Sequence, residues 1–208
     1  MKAYLEFLGK LLLFLKGQLI GFDRPFRDEQ TADRFHAKFV DFLRAFVGAQ
    51  KEQHPKFLRM LIASPASKGH HQNYEGGLME HCYLFAAYLY SRTNEGGYNG
   101  TVPLSLSVID CFEIALFHDF CKVGLYKKTA DGYEYNPAVV KHHAKLSIEY
   151  AEKLGYMISP KVKTCIALHM SSWWNKEDEN LLDDDDRVWA SNHLADIAAV
   201  QWADMKAC

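Results

Sequence analysis

His118 and Asp119 are the polar pair in the sequence with the clearest capacity for chemistry. They interrupt the apolar run Ala115–Phe120, which is typical of a buried helix. An ionised carboxylate is costly in such a place unless it is paired or coordinated. Imidazole and carboxylate groups bind divalent metals, and Lys122 follows Asp119 by one turn on the same helical face. The pair therefore predicts metal ligands, with Lys122 placed to hold a phosphate oxygen beside the ion.

The histidines are numerous and unevenly placed. The chain has ten, and eight of these follow residue 69. A buried histidine needs partners for both ring nitrogens, and several on different helices can be satisfied together by one divalent metal. His36, His54 and His193 are instead expected to be hydrogen-bonded packing residues, with His193 also a candidate for supporting a metal ligand or contacting substrate. The candidate ligands are His81, His118, Asp119, His142 or His143, His169 and Asp196.

The elements that must position these residues are helices. Helical spacing of apolar residues predicts an amphipathic first helix and further helices over Thr31–Val47, Lys56–Ile62, Leu78–Tyr90 and Val108–Leu125. Capping residues predict that helices start at Asn136-Pro137 and Ser159-Pro160 and that one helix ends at Gly155. The last aspartates of the acidic stretch Glu177–Asp186 are expected to cap a helix running to about Lys206. A short hairpin around Asp131-Gly132 is expected within Tyr126–Tyr135. This pattern predicts a single all-α domain.

Composition limits the functional classes. The 208 residues are 49% hydrophobic and carry a formal net charge of -2, so no basic excess favours long duplex nucleic acid. The five cysteines are odd in number and lack a C-x-x-C arrangement, which argues against a disulfide framework and indicates a reducing cytoplasm. The apolar stretch Leu11–Leu15 is too short and too closely flanked by charges to predict a signal peptide or membrane span.

Three segments together resemble the HD superfamily of metal-dependent phosphohydrolases. These are Gly76-Gly77-Leu78-Met79-Glu80-His81, His118-Asp119-x-x-Lys122, and a distal helix with Asp196. His70-His71 before the glycine turn and His193-Leu-Ala-Asp196 are similar to the HD domains of bacterial 3'-to-5' exoribonucleases, and Pro65-Ala66-Ser67 is similar to HD-type conjugative relaxases. The resemblance covers about Pro65–Trp202. It implies an HD-domain helical bundle over residues 65–208, with an N-terminal helical extension over residues 1–64 packing on it.

The resemblance also implies roles for individual residues. His81, His118, Asp119 and Asp196 would be ligands of a primary divalent metal, with Asp119 able to bridge to a second ion. His143 and His169 would bind that second ion or would instead orient the substrate phosphate without binding metal. The spacing His143-Ala-Lys-Leu-Ser147 is similar to that of the family, which favours His143 over His142. The chain departs from the family where Phe120-Cys121 follows the pair and where His169-Met170 replaces a double histidine. The metal, which could be Mn, Fe, Mg, Ni, Co or Zn, is not distinguished.

The expected activity is hydrolysis of a phosphoester by metal-activated water, with Asp119 and Lys122 as catalytic residues. The substrate would be a nucleotide or a short, single-stranded nucleic-acid end. Two alternatives remain: a regulatory module that binds nucleotide or metal without turnover, and a di-iron oxygenase of the HD fold. The oligomeric state is not determined, although the amphipathic first helix offers a surface for self-association.

Overall fold

Helices form most of the computed structural model, which describes residues 2–49, 54–67, 71–97, 104–130, 132–135, 142–170 and 181–208. The α-helices are α1 (Lys2–Lys16), α2 (Glu29–Ala49), α3 (His54–Ala63), α4 (Gly77–Tyr90), α5 (Val108–Phe117), α6 (His143–Lys153), α7 (Pro160–Leu168), α8 (Asp184–Asn192) and α9 (Leu194–Ala207). A 3-10 helix covers Phe120–Gly124 and is followed by the strands β1 (Tyr126–Thr129) and β2 (Gly132–Tyr135). The predicted all-α class is confirmed.

Helix α4 lies at the centre of the bundle. All but one of its fourteen residues are buried, as its uniformly apolar sequence requires. It packs most extensively against α9 and α5, and α1 and α3 also contact it. Since α4 carries His81 and α5 leads directly to His118, the central packing of the bundle also sets the positions of candidate site residues.

The N-terminal helices pack through aromatic rings. Phe35 and Phe39 of α2 are fully buried. The ring of Phe35 lies 5.2 Å from that of Tyr83 and 5.9 Å from that of Phe112, measured between centroids. The leucines of α1, including Leu12, join the same continuous core. Helices α1–α3 therefore share one hydrophobic core with α4 and α5.

Two helices expected from the sequence are each broken by residues with polar side chains. The apolar run Val108–Leu125 does not form one helix, because α5 ends at Phe117 and the 3-10 helix begins at Phe120. The helix expected to run to Lys206 is also two helices, α8 and α9, separated at His193. Hydrophobic periodicity does not detect such breaks, because a 3-10 turn can contain the same kinds of apolar residues as the α-helix before it.

Other local expectations are confirmed. Strands β1 and β2 pair antiparallel, with Tyr126 opposite Tyr135 and Thr129 opposite Gly132. Ser159 precedes α7 with Pro160 in its first turn. Gly155 has a φ of 87°, which suits its place just after α6. The predicted helix start at Asn136-Pro137 lies outside the described residues. Among the described helices, none has the length and hydrophobicity that crossing a membrane requires.

The turn at Gly76-Gly77 connects the preceding loop to the start of α4. Gly76 has a φ of 92°, in the left-handed region that favours glycine. A Cβ at Gly77 would lie 1.9 Å from the backbone oxygen of Gln72, so no larger residue fits there. The two glycines thereby allow the preceding loop to pass close to the start of α4, which brings His71 near His81.

Candidate metal centre

Six acidic or histidine side chains from different elements converge in the middle of the bundle. They form two neighbouring clusters in which one ligand atom from each residue lies within 4.8 Å of the others. Cluster 1 contains His81, His118 and Asp204, and cluster 2 contains Asp119, His143 and His169. Five of these residues were predicted as ligands from the sequence, and Asp204 was not.

Cluster 1 brings three ligand atoms into close contact. The Nε2 atoms of His81 and His118 lie 3.0 Å apart, and Asp204 Oδ1 lies 3.1 Å from His81 Nε2 and 3.6 Å from His118 Nε2. Burial alone would raise the pKa of Asp204, but the two histidines hold it well below its usual range. The carboxylate is thus ionised, and the two imidazole nitrogens that face it require a proton or a cation between them.

His118 and His169 are oriented by the same local device. Each follows the last residue of a helix, α5 or α7, and uses Nδ1 to contact the carbonyl oxygen three residues earlier. His118 Nδ1 lies 3.0 Å from Ala115 O, and His169 Nδ1 lies 2.6 Å from Ile166 O. A carbonyl oxygen only accepts hydrogen bonds, so Nδ1 carries the proton in both rings and a neutral ring presents an Nε2 lone pair to the site.

Asp119, a member of cluster 2, also lies beside cluster 1. Its Oδ2 is 3.7 Å from His81 Nε2 and 3.7 Å from His118 Nε2, and its Oδ1 contacts His143 Nε2. Only 3% of Asp119 is exposed. Burial would raise the pKa of this carboxyl, but Lys122, His143 and His118 together hold it well below its usual range. One buried carboxylate thus directs an oxygen toward each cluster.

His143 is held between a carboxylate and a thiol. Its Nε2 contacts Asp119, and its Nδ1 lies 3.2 Å from Cys121 Sγ. Burial alone would lower the pKa of His143, but Cys121 and Asp119 raise it to about 10. Cys121 N donates a hydrogen bond to Ser147 Oγ on the same helix as His143, which fixes the thiol beside the ring. The structure therefore selects His143 over His142 as the residue facing the site.

Lys122 supplies positive charge at the edge of the site. Its ammonium group pairs with Asp119 Oδ2 across one turn of the 3-10 helix. Burial would lower the pKa of Lys122, but Asp119 raises it above its ordinary value. About 15% of the Lys122 side chain is exposed, against 4% of the Asp119 side chain. The lysine is therefore a permanent cation at this edge of the site.

Asp196 lies outside both clusters, so the structure does not bring it together with the other predicted ligands. Ser105 N donates to Asp196 Oδ1 at 2.9 Å, and Ser105 Oγ donates to Oδ2 at 2.5 Å. Both carboxylate oxygens are thus used to hold the segment that leads into α5. Asp204 lies eight residues later on the same helix, about 12 Å further along its axis and turned by roughly 80°. It is Asp204 that contacts His81 and His118.

The sequence contained a weak signal for Asp204. It follows Ala203 in a stripe of small residues, Ala199, Ala203 and Ala207, which allows α9 to approach α4 closely. An acidic residue beside such a contact must meet a polar group on the facing helix, and His81 was available there. If burial alone identified the metal ligand, Asp196 would be chosen over Asp204, because Asp196 is 2% exposed and the Asp204 side chain is 21% exposed.

The donor set fits a divalent metal. The two clusters combine nitrogen and oxygen ligands from imidazole and carboxylate, the set preferred by first-row transition metals. His169 Nε2 is buried and has no hydrogen-bond partner among the described residues, while burial, together with His118, lowers the pKa of His169 to about 4. A buried neutral nitrogen with an unused lone pair is unfavourable unless an acceptor of that lone pair is present. A cation between Asp119, His143 and His169 meets this requirement.

The histidines predicted as packing residues behave accordingly where they are described. His36 Nδ1 lies 2.9 Å from Tyr83 Oη, and His193 Nδ1 lies 2.7 Å from Trp189 O while its ring stacks on that tryptophan. Neither belongs to either cluster. The side chain of His54 lies outside the described residues.

Comparison of the chain with protein-family models, with curated proteins and with solved structures finds no match.

Proposed function

We propose that the protein is a metal-dependent phosphohydrolase whose centre is formed by clusters 1 and 2. The single observation that carries the proposal is the position of Asp119, a buried carboxylate with one oxygen near each cluster of candidate ligands. A carboxylate in this position can bridge two divalent ions, the arrangement found at many sites that displace a group at phosphorus. The resemblance of the His81, His118 and Asp119 segments to the HD superfamily agrees with this assignment.

Each residue has a distinct part in the proposed reaction. Divalent ions bound here would polarise the phosphoryl oxygen and lower the pKa of a water molecule, so that the attacking group comes from solvent. His81, His118 and Asp204 would hold one ion, and His143 and His169 the other. Asp119 would bridge them. The Asp119 carboxylate pairs with the Lys122 ammonium group, and bound metal ions would replace that ammonium group as its cationic partner.

Lys122 favours phosphoester chemistry over the alternatives. Once metal ions neutralise Asp119, the ammonium group no longer has to serve that carboxylate and can hold a phosphate oxygen. A permanent cation beside the ligands stabilises negative charge on the phosphoryl oxygens of a transition state, which is a direct use for Lys122 in phosphoester hydrolysis. The net charge of -2 favours a nucleotide or a short nucleic-acid end over a long polyanion.

The test compares two aspartates of helix α9. Purified protein is stripped with a chelator, reloaded with Mn²⁺, Fe²⁺ or Mg²⁺, and assayed for phosphate or nucleoside release from nucleotides and short single-stranded oligonucleotides. We expect Asp204→Asn to lose turnover and to bind Mn²⁺ at least about tenfold more weakly, because it removes a charged ligand. Asp196→Asn serves as the matched control, since both residues lie on α9 but the Asp196 carboxylate accepts its hydrogen bonds from Ser105, away from clusters 1 and 2.

Several outcomes would reject the proposal. Metal binding that depends on Asp196 and not on Asp204 would mean that the ligand set is wrong. Tight binding of nucleotide and metal without turnover would identify a regulatory module, and metal-dependent oxygen consumption would identify an oxygenase.

A further inference from the structure

A third group of potential ligands includes His81 together with two residues that belong to neither cluster 1 nor cluster 2. It consists of His71, His81 and Cys208, and one ligand atom from each lies within 4.8 Å of the others. The rings of His71 and His81 are 5.4 Å apart between centroids, and Cys208 Sγ lies 3.5 Å from His71 Nε2. The mechanism proposed above makes no use of His71 or Cys208.

One ring nitrogen of His81 lacks a hydrogen-bond partner among the described residues. His81 is 1% exposed, and its Nδ1 has no hydrogen-bond partner among the described residues. The Nε2 atom of the same ring faces His118 and Asp204 in cluster 1. Nδ1 is therefore the nitrogen of His81 that remains for a further ligand, and the ring of His71 packs against the ring that carries it.

The surrounding backbone holds the three residues together. Ser67 Oγ donates to the carbonyl oxygen of His71 at 2.6 Å, which fixes the loop before α4. Gln72 Nε2 donates to Ala207 O at 2.9 Å, which ties that loop to the end of α9 beside Cys208. Cys208 is exposed and His71 is partly exposed, so an ion can enter from solvent. The group is thus fixed in position and accessible.

We propose that His71, His81 and Cys208 form a separate site for a thiophilic metal ion such as Zn²⁺ or Cd²⁺. One thiolate and two imidazoles are a ligand set that these ions prefer and that Mg²⁺ does not accept. The thiol proton is released to solvent when the metal–sulfur bond forms, as in other cysteine sites. The site needs no oxidant or other reactant.

Occupation of this site excludes His81 from cluster 1. A neutral imidazole has one proton and one lone pair. When the Nδ1 lone pair binds the thiophilic ion, the proton resides on Nε2, where it can be donated to Asp204 Oδ1 at 3.1 Å. When Nε2 is a ligand in cluster 1, the proton resides on Nδ1 and the third site lacks a ligand. The two sites therefore compete for one ring, and an ion at the third site inhibits the proposed centre.

The inhibitory part of this inference rests on the proposed function, but the site itself does not. Its test uses the metal-free protein and Cd²⁺ alone, with the ultraviolet charge-transfer band of the cadmium–thiolate bond as the signal. We expect Cys208→Ser to abolish the band and His71→Gln to weaken Cd²⁺ binding at least about tenfold. His193→Gln is the control, because His193 is a histidine bonded elsewhere, and it should leave Cd²⁺ binding unchanged.

Cys121 provides the decisive contrast, since its thiol also lies near an imidazole, that of His143. A band that persists in Cys208→Ser and disappears in Cys121→Ser would overturn the inference. So would Cd²⁺ affinity that is the same in His71→Gln as in the wild type. Loading with Mn²⁺ should weaken Cd²⁺ binding, and Cd²⁺ should inhibit turnover less in Cys208→Ser than in the wild type. Absence of turnover under all conditions would reject the proposed function while leaving the Cd²⁺ band as an independent result.

Discussion

The aromatic region between α2, α4 and α5 and the candidate metal centre are both largely buried, but they contribute to stability in opposite directions. Phe35 and Phe39 are fully buried and contact other rings, so these apolar side chains lie in a favourable apolar environment. His118 and Asp119 are 0% and 3% exposed, yet their polar atoms face other polar atoms. The first region stabilises the fold, whereas the second is a cost that a bound cation would offset.

Asp119→Asn should produce the largest effect, and it acts on the polar region alone. Removal of the bridging charge weakens both clusters, and we expect turnover to fall at least about a thousandfold, equivalent to about 4 kcal/mol. Steady-state kinetics with Mn²⁺ and the best substrate of the nucleotide panel would measure this loss. Circular dichroism should show that the variant keeps its helices, because the aromatic core does not depend on this carboxylate. Wild-type turnover in the variant would exclude Asp119 as a catalytic residue.

Phe35→Ala should act on the aromatic region and lower the stability of the fold. Truncating a fully buried ring among Phe26, Phe39, Tyr83 and Phe112 leaves a cavity, and we expect a loss of about 3–5 kcal/mol in the free energy of unfolding. Urea denaturation would measure it. Phe22→Ala is the matched control, because Phe22 is 90% exposed, and its loss should stay below about 1 kcal/mol. Equal losses in the two variants would mean that the aromatic core is not packed as described.

A bound cation should stabilise the fold through the polar region. We expect Mn²⁺ at about 100 times its dissociation constant to add about 2.7 kcal/mol to the free energy of unfolding, since it binds only the folded chain. Thermal melts with and without Mn²⁺ would show the shift in the wild type and in Phe22→Ala. The same melts should show little shift in Asp119→Asn. A comparable shift in that variant would place the bound ion away from clusters 1 and 2.

The smallest effect concerns His36, where the aromatic region contains a titratable group. Burial, together with Lys16, lowers the pKa of His36 from the ordinary value of 6.5. The unfolded chain therefore binds a proton at higher pH than the folded chain does, and stability falls as pH decreases below about 6.5. Denaturation at about pH 7.5 and about pH 5 should show a smaller acid-induced loss in His36→Gln than in the wild type. An unchanged loss would show that His36 does not contribute.

Local sequence predicted the helices and most candidate ligands because these depend on short-range physics. Apolar periodicity located α2 and α4, Gly155 marked the end of α6, and Pro160 marked the start of α7. The sequence also identified His118 and Asp119, since a polar pair within an apolar run requires a partner wherever it is buried. It missed the end of α5 at Phe117, because helix and 3-10 turn bury similar apolar residues.

The choice between Asp196 and Asp204 was decided only by tertiary structure. Both are acidic residues on one apolar helix, and the stripe of small residues beside Asp204 is too weak a signal to determine which of them faces His81. That depends on the rotation of α9 against α4, which is set by close packing of small residues far along the chain from His81. Amino-acid types thus determined that a buried polar centre must exist, while the packing of distant helices determined which carboxylate completes it.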